Sequence, residues 1–324
     1  MKAIVREEYG SPDVLELRDI DMPVVKDDEV LVRVRAASLN QADLDYLHGE
    51  PLLTKMGTGL RGPKNRGLGL DAAGVVEAVG KDVTAFQPGD EVFGDLTMFG
   101  YGAFAEYACA PERAWAHKPD GMTFEEAATV PQSAILALQH LRGSRRIEPG
   151  HRVLINGASG NVGPFAIQIA KAFGAHVTGV CSTGKVDMVR GLGADHVIDY
   201  TREDYTHDGQ RYDWIVDVVG NRSLFECRRA LKPKGTYVLV GGPTRRIFGA
   251  LLLGPLISLA GDRKMGLMMG WKPFQQEDVA YLKELIEAGK IVPVIDRRYP
   301  LAEVPDALRY LEGGQAQGKI VITI

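Results

Sequence analysis

The spacing of apolar and polar positions changes near residue 120 of this 324-residue chain. Before that point, segments such as 3–6 and 30–36 alternate or cluster β-branched residues between turn signals, which predicts antiparallel strands. After it, strand patterns such as 196–199 alternate with helical patterns such as 223–231. This alternation predicts a right-handed parallel sheet with helices on both faces. The fold class is therefore α/β, with a β-rich domain before a doubly wound domain.

The last part of the chain returns to the strand and helix spacing of a second, smaller set of elements. Helix 277–288, strand 293–295, helix 304–312 and strand 319–324 are predicted there, and we expect them to rejoin the N-terminal β domain. The predicted division is residues 1–120 with 266–324 in one domain, and residues 121–265 in the other.

The most informative segment is the glycine-rich turn after the apolar run 153–155. The turn reads Ala158-x-Gly160-x-x-Gly163 and lies between a predicted strand and the amphipathic helix 162–173, with a second strand at 176–180. In a dinucleotide fold such a turn lets the backbone approach a pyrophosphate, and the helix N-terminus binds the anion. The predicted cofactor contacts in this turn are Ala158, Ser159, Gly160, Asn161, Val162 and Gly163.

The residues after the second strand indicate which nicotinamide cofactor is bound. An NAD site needs an acidic residue there for the ribose 2′-hydroxyl, and no Asp or Glu stands before Asp187. Ser182 and Thr183 can donate hydrogen bonds and Lys185 supplies positive charge, so these residues favour the 2′-phosphate of NADPH. The alternative is that Lys185 is only the first-turn residue of a solvated helix.

Composition excludes several other classes of protein. The formal net charge is −4, the hydrophobic fraction is 45%, and no basic run suggests a nucleic-acid partner. The first residues lack the apolar core of a secretory signal, and three widely separated cysteines give no disulfide framework. We expect a protein of the reducing cytoplasm.

One segment, residues 247–261, is uncharged and very apolar. It is too short for a bilayer span, and Gly254 and Pro255 are hostile to helix, so no transmembrane span is predicted. We expect the segment to line a substrate cleft or to pack in a subunit interface.

Several motifs together resemble the medium-chain dehydrogenase/reductase superfamily, and most of all its zinc-independent quinone oxidoreductase branch, which includes ζ-crystallin-like proteins. The resemblance implies an N-terminal GroES-like catalytic domain, a Rossmann domain and a homodimer. Asn161 stands where the branch usually has a second glycine, and Asn tolerates the left-handed conformation. The motifs are SLNQAD (38–43), GLGLDAAGVVEAVG (67–80), PGDEVFG (88–94), GAFAEYA (102–108), GASGNVG (157–163) and GADHVIDY (193–200).

The resemblance also bears on metal binding. Zinc-dependent relatives hold a catalytic metal with a cysteine where this chain has Asn40, and with a His-Glu pair where it has Leu70 and Asp71. A structural zinc lobe needs four thiolates, and the chain has three cysteines. We expect neither zinc site.

Without a Lewis acid, a nicotinamide hydride is best matched to an acceptor that is already electrophilic. The predicted activity is therefore NADPH-dependent hydride transfer to a quinone or an α,β-unsaturated carbonyl. Two alternatives remain open: an NAD(P)-dependent alcohol dehydrogenase or carbonyl reductase, and a non-catalytic NADPH-binding protein.

Two residues near the first motif are the predicted catalytic groups. The resemblance places Asn40 nearest the nicotinamide, where its amide would hold the ribose or the substrate oxygen; the alternative is an Asn that caps a loop. Asp43 is expected to cap the following helix. Tyr46 would stack on an aromatic acceptor or donate a proton to it, although it lies one place from the tyrosine of several quinone reductases.

Further cofactor contacts are predicted at four positions. Gly241 and Gly242 follow the fifth strand of the dinucleotide fold, at the edge where the nicotinamide should lie. Tyr200 ends the GADHVIDY motif and would flank the adenine or the 2′-phosphate, unless it only packs. Lys319 would reach the cofactor or simply be solvated.

Overall fold

The computed structural model describes residues 1–50, 55, 58–142, 147–267 and 272–324. The chain divides into two compact units, one comprising residues 1–135, 273–287 and 293–324, and the other residues 136–272 and 288–292. The helix at residues 124–128 packs on the strands of the first unit.

Strands predominate up to residue 117, and helices alternate with strands after it. The strands are β1 (Lys2–Val5), β2 (Glu16–Asp19), β3 (Glu29–Ser38), β4 (Asp71–Val79), β5 (Glu91–Asp95), β6 (Tyr107–Pro111), β7 (Trp115–His117), β8 (Arg152–Asn156), β9 (His176–Cys181), β10 (His196–Asp199), β11 (Tyr212–Asp217), β12 (Leu231–Leu239), β13 (Lys264–Leu267), β14 (Ile295–Pro300) and β15 (Lys319–Thr323). The α-helices are α1 (Gln41–His48), α2 (Phe124–Ala128), α3 (Pro131–Leu141), α4 (Gly163–Ala172), α5 (Val186–Gly191), α6 (Leu224–Ala230), α7 (Thr244–Leu259), α8 (Gln276–Glu287) and α9 (Val304–Glu312).

The first unit is built on a seven-stranded sheet with the order β14-β15-β3-β4-β5-β7, and β6 also pairs with β3. All its pairs are antiparallel except β14 with β15, which are joined through α9. The C-terminal strand β15 pairs with β3 in the register Val321 opposite Ser38. The late strands β14 and β15 therefore lie in the sheet of the first unit.

The long central strand β3 explains where this unit has its core. Val30, Val32 and Val34 alternate with other positions and are buried, as expected of a strand with one face on the core. Residues from β4, β5 and α9 complete the same hydrophobic cluster.

The second unit has a six-stranded sheet with the order β10-β9-β8-β11-β12-β13, and all its pairs are parallel. This is the predicted doubly wound sheet. Its order reverses between β8 and β11, so a crevice is expected at the carboxyl ends of these strands. The residues at those ends are therefore candidates for cofactor binding.

The apolar segment forms a helix, which corrects the expectation that Gly254 and Pro255 oppose one. Both residues lie inside α7, which is 16 residues long. A Cβ at Gly254 would lie 2.8 Å from the Met265 carbonyl oxygen, so glycine permits close packing of the helix on β13. Tertiary packing here outweighs the low helix propensity of the two residues.

The outward face of α7 is apolar and exposed. Leu252 and Leu259 are 66% and 84% exposed, and four other large apolar side chains of the helix are also exposed: Phe248, Leu251, Leu253 and Leu256. No helix in the described part of the chain has the length and apolar character needed to cross a membrane.

Candidate functional site

The glycine-rich turn connects β8 to α4 and has the geometry of a dinucleotide-binding turn. Gly157 has a φ of +89°, which a larger residue would adopt only with strain. The backbone N–H groups of Gly157 and Ala158 donate to the Val180 carbonyl at 3.2 and 3.0 Å, so the turn is held against the end of β9.

The two later glycines have different surroundings. A Cβ at Gly163 would lie 2.3 Å from the Gly157 carbonyl oxygen, so glycine is required there for α4 to approach the strand. A Cβ at Gly160 would meet nothing closer than 3.7 Å, the Gly157 oxygen. Packing within the protein therefore explains glycine at 163 but leaves glycine at 160 without a structural reason.

Asn161 has a negative φ and makes no use of the left-handed conformation that Asn tolerates; in the described chain the non-glycine residues with positive φ are Tyr101, Lys234 and Phe274. The turn accepts a side chain at 161 with ordinary backbone angles. The substitution of glycine by Asn therefore imposes no strain.

A buried carboxylate that sequence reasoning missed organises the neighbouring loop. Asp217 ends β11, and its Oδ1 accepts hydrogen bonds from Asn156 Nδ2 at 2.8 Å and from the backbone N–H groups of Val219 and Gly220 at 3.1 and 2.8 Å. Its Oδ2 accepts from the Tyr237 hydroxyl at 2.9 Å. Burial raises the pKa of Asp217, although these donors oppose the shift. The only sequence signal was an acid inside an apolar run.

Gly241 and Gly242 follow β12 at the same carboxyl edge, as predicted. Gly242 has a φ of +124°, and a Cβ there would lie 2.5 Å from the Val219 carbonyl oxygen. The loops after β11 and β12 are thus in close backbone contact. Glycine at 242 is explained by this contact.

The residues predicted to bind the 2′-phosphate lie at the ends of β9 and β10. Ser182 precedes a 3₁₀ turn, Thr183–Lys185, and the Tyr200 N–H donates to the Cys181 carbonyl at 3.0 Å. Tyr200 is 52% exposed. The fold therefore brings Tyr200, which is distant in sequence, beside the turn that carries Lys185.

A carboxylate that the sequence does not predict belongs to this group. The Thr183 hydroxyl donates to Asp199 Oδ2 at 2.6 Å, and Asp199 Oδ1 accepts from the Thr201 N–H and hydroxyl at 3.0 and 2.7 Å. Arg202 lies 3.5 Å from the same carboxylate. The hydrogen bond from Thr183, followed by those from Thr201, lowers the pKa of Asp199. The hydroxyl of Thr183, predicted as a donor to phosphate, already has an acceptor.

In the first unit, Asn40 stands immediately before α1 and is buried. Its backbone N–H donates to Asp43 Oδ2 at 2.7 Å, which confirms that Asp43 caps the helix. The Asn40 side chain has further partners: Nδ2 donates to Asp71 Oδ2 at 2.9 Å, and Oδ1 accepts from Ser133 Oγ at 3.2 Å. The residue is thus a helix cap whose amide also belongs to a buried network.

Lys319 is the cation of that network. It is 1% exposed, and its Nζ donates to the Leu39 carbonyl at 2.9 Å, Asn40 Oδ1 at 2.6 Å and Ser133 Oγ at 3.3 Å. Asp71 Oδ2 lies 3.5 Å away. The interpretation of Lys319 as a solvated residue is therefore wrong. The sequence did not show it because β15 is brought beside Asn40 only by the long-range pairing with β3.

Three buried carboxyl groups act on the Lys319 ammonium. Burial raises the pKa of Asp71. It also raises the pKa of Asp43 to about 8 and the pKa of Asp95 to about 7. Burial lowers the pKa of Lys319, and the charge of Asp71 opposes that shift. Burial therefore disfavours the charged form of all three carboxyl groups and of the lysine.

Tyr46 lies in α1 and forms an aromatic pair with Tyr101, with ring centroids 4.3 Å apart. The Tyr46 carbonyl accepts a hydrogen bond from the buried Arg6 guanidinium. Burial raises the pKa of Tyr46, although a hydrogen bond with Tyr101 opposes the shift. Tyr101 has a φ of +62°, a conformation that is uncommon for a bulky residue and concentrates at functional sites.

Comparisons with known proteins agree with this architecture. Residues 26–120 match the alcohol dehydrogenase GroES-like domain, and residues 192–322 match the zinc-binding dehydrogenase family. The chain is similar to the mouse protein "NAD(P)H oxidoreductase RTN4IP1, mitochondrial", with 35% identity covering 100% of this chain and 89% of that protein. It is 33% identical to "NADPH-dependent alkenal/one oxidoreductase, chloroplastic" of Arabidopsis thaliana, covering 99% and 79%. The solved structure of the quinone oxidoreductase from Coxiella burnetii superposes with a TM-score of 0.89 at 31% identity, covering 100% and 99%.

A GroES-like unit and a parallel-sheet unit with a glycine-rich turn define a dehydrogenase/reductase. The chain belongs to the medium-chain dehydrogenase/reductase superfamily, in its quinone-oxidoreductase-like branch, and is an oxidoreductase. The described residues contain no group of three or more His, Cys, Asp or Glu side chains placed to hold a metal ion. Asn40 and Asp71 both contact Lys319.

Proposed function

We propose that this protein is a zinc-independent, NADPH-dependent reductase of quinones or α,β-unsaturated carbonyls. The observation that carries the proposal is the glycine turn, where Gly160 is not required by packing. A bound pyrophosphate supplies the missing reason, since it needs the backbone to be accessible at this position. The relatives' names, an alkenal/one oxidoreductase and a quinone oxidoreductase, support the class of acceptor.

For the cofactor, Lys185 and Tyr200 are the proposed 2′-phosphate contacts, with Ser182 as a neutral donor. Their shared location at the ends of two adjacent strands supports this role. Thr183 contributes by holding Asp199, and Arg202 balances the charge of that carboxylate. The turn residues 158–163, with Gly241 and Gly242, are the proposed contacts of the pyrophosphate and nicotinamide. When bound, NADPH supplies the hydride.

For the acceptor, Asn40 and Tyr46 are the proposed contacts. A hydrogen bond from the Asn40 amide would stabilise negative charge on the carbonyl oxygen, and the Tyr46 ring would stack on a planar acceptor. Hydride transfer to an enone also requires a proton, which the Tyr46 hydroxyl can donate. A cytoplasmic location stays a prediction, and the mouse relative is named as mitochondrial.

The function is tested by the oxidation of NADPH and NADH by metal-free enzyme, with 9,10-phenanthrenequinone, 1,4-benzoquinone and a short enone as acceptors. We expect turnover with NADPH, much weaker turnover with NADH, and no effect of a chelator. Tight NADPH binding without turnover of any acceptor would instead identify a binding protein. Oxidation of simple alcohols, abolished by chelator, would contradict the zinc-independent reductase.

The role of the glycine turn is tested by Gly160→Ala. Because a methyl group fits at this position, the melting temperature should stay within about 2 °C of wild type, whereas the Kd for NADPH, measured by fluorescence, should rise at least about tenfold. The matched control is Gly249→Ala in α7, where the added methyl also meets nothing within 4 Å. An unchanged Kd in Gly160→Ala would show that the turn is only structural.

We further propose that the protein is a homodimer formed through β13 and α7. β13 is an edge strand of the described sheet, and the adjoining α7 exposes an apolar face that an identical copy would cover. Sedimentation should give a dimer at micromolar concentration, and Leu252→Glu with Leu256→Glu should give a monomer. A wild-type monomer at that concentration would refute the assignment.

A further inference from the structure

The buried network in the first unit restricts what the Asn40 amide can do. Lys319 Nζ donates three hydrogen bonds, and a protonated amine has no lone pair with which to accept one. The Asn40 atom 2.6 Å from Nζ must therefore be the carbonyl oxygen. The atom 2.9 Å from the Asp71 carboxylate must then be the nitrogen, which is a donor. The orientation of the amide is thus set by the chemistry of its two charged neighbours.

Counting hydrogen bonds shows which group of Asn40 stays available. Its Oδ1 accepts from both Lys319 and Ser133, which occupies both lone pairs. Its Nδ2 has two hydrogens and donates one to Asp71, and none of the described residues accepts the second. The side chain can therefore offer a ligand one N–H and no acceptor.

The holding groups are themselves fixed. Asp71 Oδ2 also accepts from Ser38 Oγ at 3.2 Å, and Asp71 Oδ1 accepts from the Gln132 N–H at 3.2 Å. Lys319 is anchored by the Leu39 carbonyl at 2.9 Å. The amide consequently has strands β3, β4 and β15 and helix α3 as a rigid support, which is the preorganisation that oxyanion stabilisation requires.

We propose that Lys319 is a positioning residue, which with Asp71 presents a single N–H of Asn40 to an oxygen atom of the reacting complex. This inference rests on the proposed function and deepens it. Asn40 can thereby only donate a hydrogen bond to a ligand and cannot accept one. This suits a carbonyl oxygen that gains negative charge or a ribose oxygen. A ligand that needs an acceptor at this position is rejected.

The test is a double-mutant cycle with Lys319→Met and Asn40→Ala, measuring kcat, KM and the Kd for NADPH. Removal of one oxyanion donor lowers kcat by about 10²–10³-fold, so Asn40→Ala should fall in that range if the oxygen belongs to the acceptor. Lys319→Met should lower kcat by about tenfold or more in the wild-type background and by less than about twofold in the Asn40→Ala background, since it acts through the amide. If the oxygen belongs to the ribose, the same non-additivity appears in the Kd for NADPH.

The matched control is Lys232→Met, which removes a lysine paired at 2.7 Å with Asp213 in the second unit. Its kcat should not change. Equal effects of Lys319→Met in both backgrounds, or none in either, would overturn the proposal. If Lys319→Met does not fold, Ser133→Ala replaces it in the cycle, because it removes the neutral donor to the same oxygen without exposing a buried charge.

A second readout separates this inference from the proposed function. In a ¹H–¹⁵N correlation spectrum, the two Nδ2 protons of Asn40 are assigned by the loss of their signals in Asn40→Ala. Their ¹H resonances should be well separated in wild type and should move toward the positions of a free amide in Lys319→Met. This holds even if wild-type enzyme turns over none of the acceptors, an outcome that would refute the proposed function alone. Unchanged resonances in Lys319→Met would refute the positioning role.

Discussion

A fully enclosed carboxylate anchors a polar network in each unit of the protein, and the two carboxylates are satisfied in different ways. Asp71, at the start of β4, lies 3.5 Å from the ammonium of Lys319 and is joined to it through Asn40. Asp217, at the end of β11, accepts from neutral donors: an amide, a phenol and two backbone N–H groups. Both have a raised pKa because both are buried.

The two arrangements suit different tasks. A carboxylate bound by neutral donors organises loops by geometry, since the donors to Asp217 come from β8, β12 and the loop after β11. A carboxylate and a cation on either side of an amide fix which end of the amide faces each of them. Asp71 and Lys319 do this for Asn40. The first arrangement suits loops that bind a cofactor, and the second suits a hydrogen-bond donor that must point in one direction.

The largest effect should come from breaking the ion pair. Asp71→Asn leaves the buried ammonium of Lys319 without its compensating charge, which typically costs about 3–5 kcal/mol. Asp217→Asn leaves no buried cation and should cost about 1–3 kcal/mol, as expected for a lost buried acceptor. Urea denaturation of both variants measures the difference.

The two costs should then be separable by repair. Adding Lys319→Met to Asp71→Asn should recover most of the lost stability, because replacing both members of a buried pair is often nearly neutral. Equal costs for Asp71→Asn and Asp217→Asn, without recovery in the double variant, would show that the ion pair has no special role.

The next effect concerns the half-buried Lys185 in the turn after β9. Lys185→Ala should lower kcat/KM for NADPH by about tenfold, since one charge-assisted hydrogen bond contributes about 1.5–3 kcal/mol, and should leave the value for NADH unchanged. Arg190→Ala is the matched control, because Arg190 lies on the adjoining helix α5 and pairs with Asp187 at 3.3 Å. A loss shared equally by NADPH and NADH would remove Lys185 from the 2′-phosphate site.

The two regions also differ in how far the sequence predicted them. The glycine-rich turn and its flanking elements are local in sequence: a strand, the turn, a helix and a second strand follow one another within residues 152–181. Periodicity and glycine spacing were therefore sufficient to predict this part of the fold. Asp199 was missed because it meets Thr183 only through the pairing of β9 with β10.

The buried cluster is non-local, and the sequence indicates its parts without their relationship. The motifs single out Asn40 as a candidate for the nicotinamide site, and Asp71 as the residue in place of a zinc ligand. Their partner Lys319 lies 279 positions after Asn40 in the chain. Hydrophobic spacing places β15 in a sheet but does not state which strand it joins. A lysine in an apolar strand was the one signal.

The smallest effect is the pH dependence of stability that Asp43 contributes from the buried cluster. Burial raises the pKa of Asp43 to about 8 in the folded protein, whereas an unfolded Asp has a pKa of about 3.9. Between these values the folded state holds a proton that the unfolded state releases, so this group's stabilising contribution is complete below about pH 4 and is lost progressively as the pH rises toward 8.

Asp43→Asn keeps an acceptor for the Asn40 N–H but cannot ionise. Its melting temperature should therefore fall less between about pH 5 and pH 8 than that of wild type, by a few degrees. Asp187→Asn, which alters a fully exposed side chain, should follow wild type. Parallel curves for Asp43→Asn and wild type would mean that Asp43 is already ionised in the folded protein, and that Lys319 neutralises more than one carboxylate.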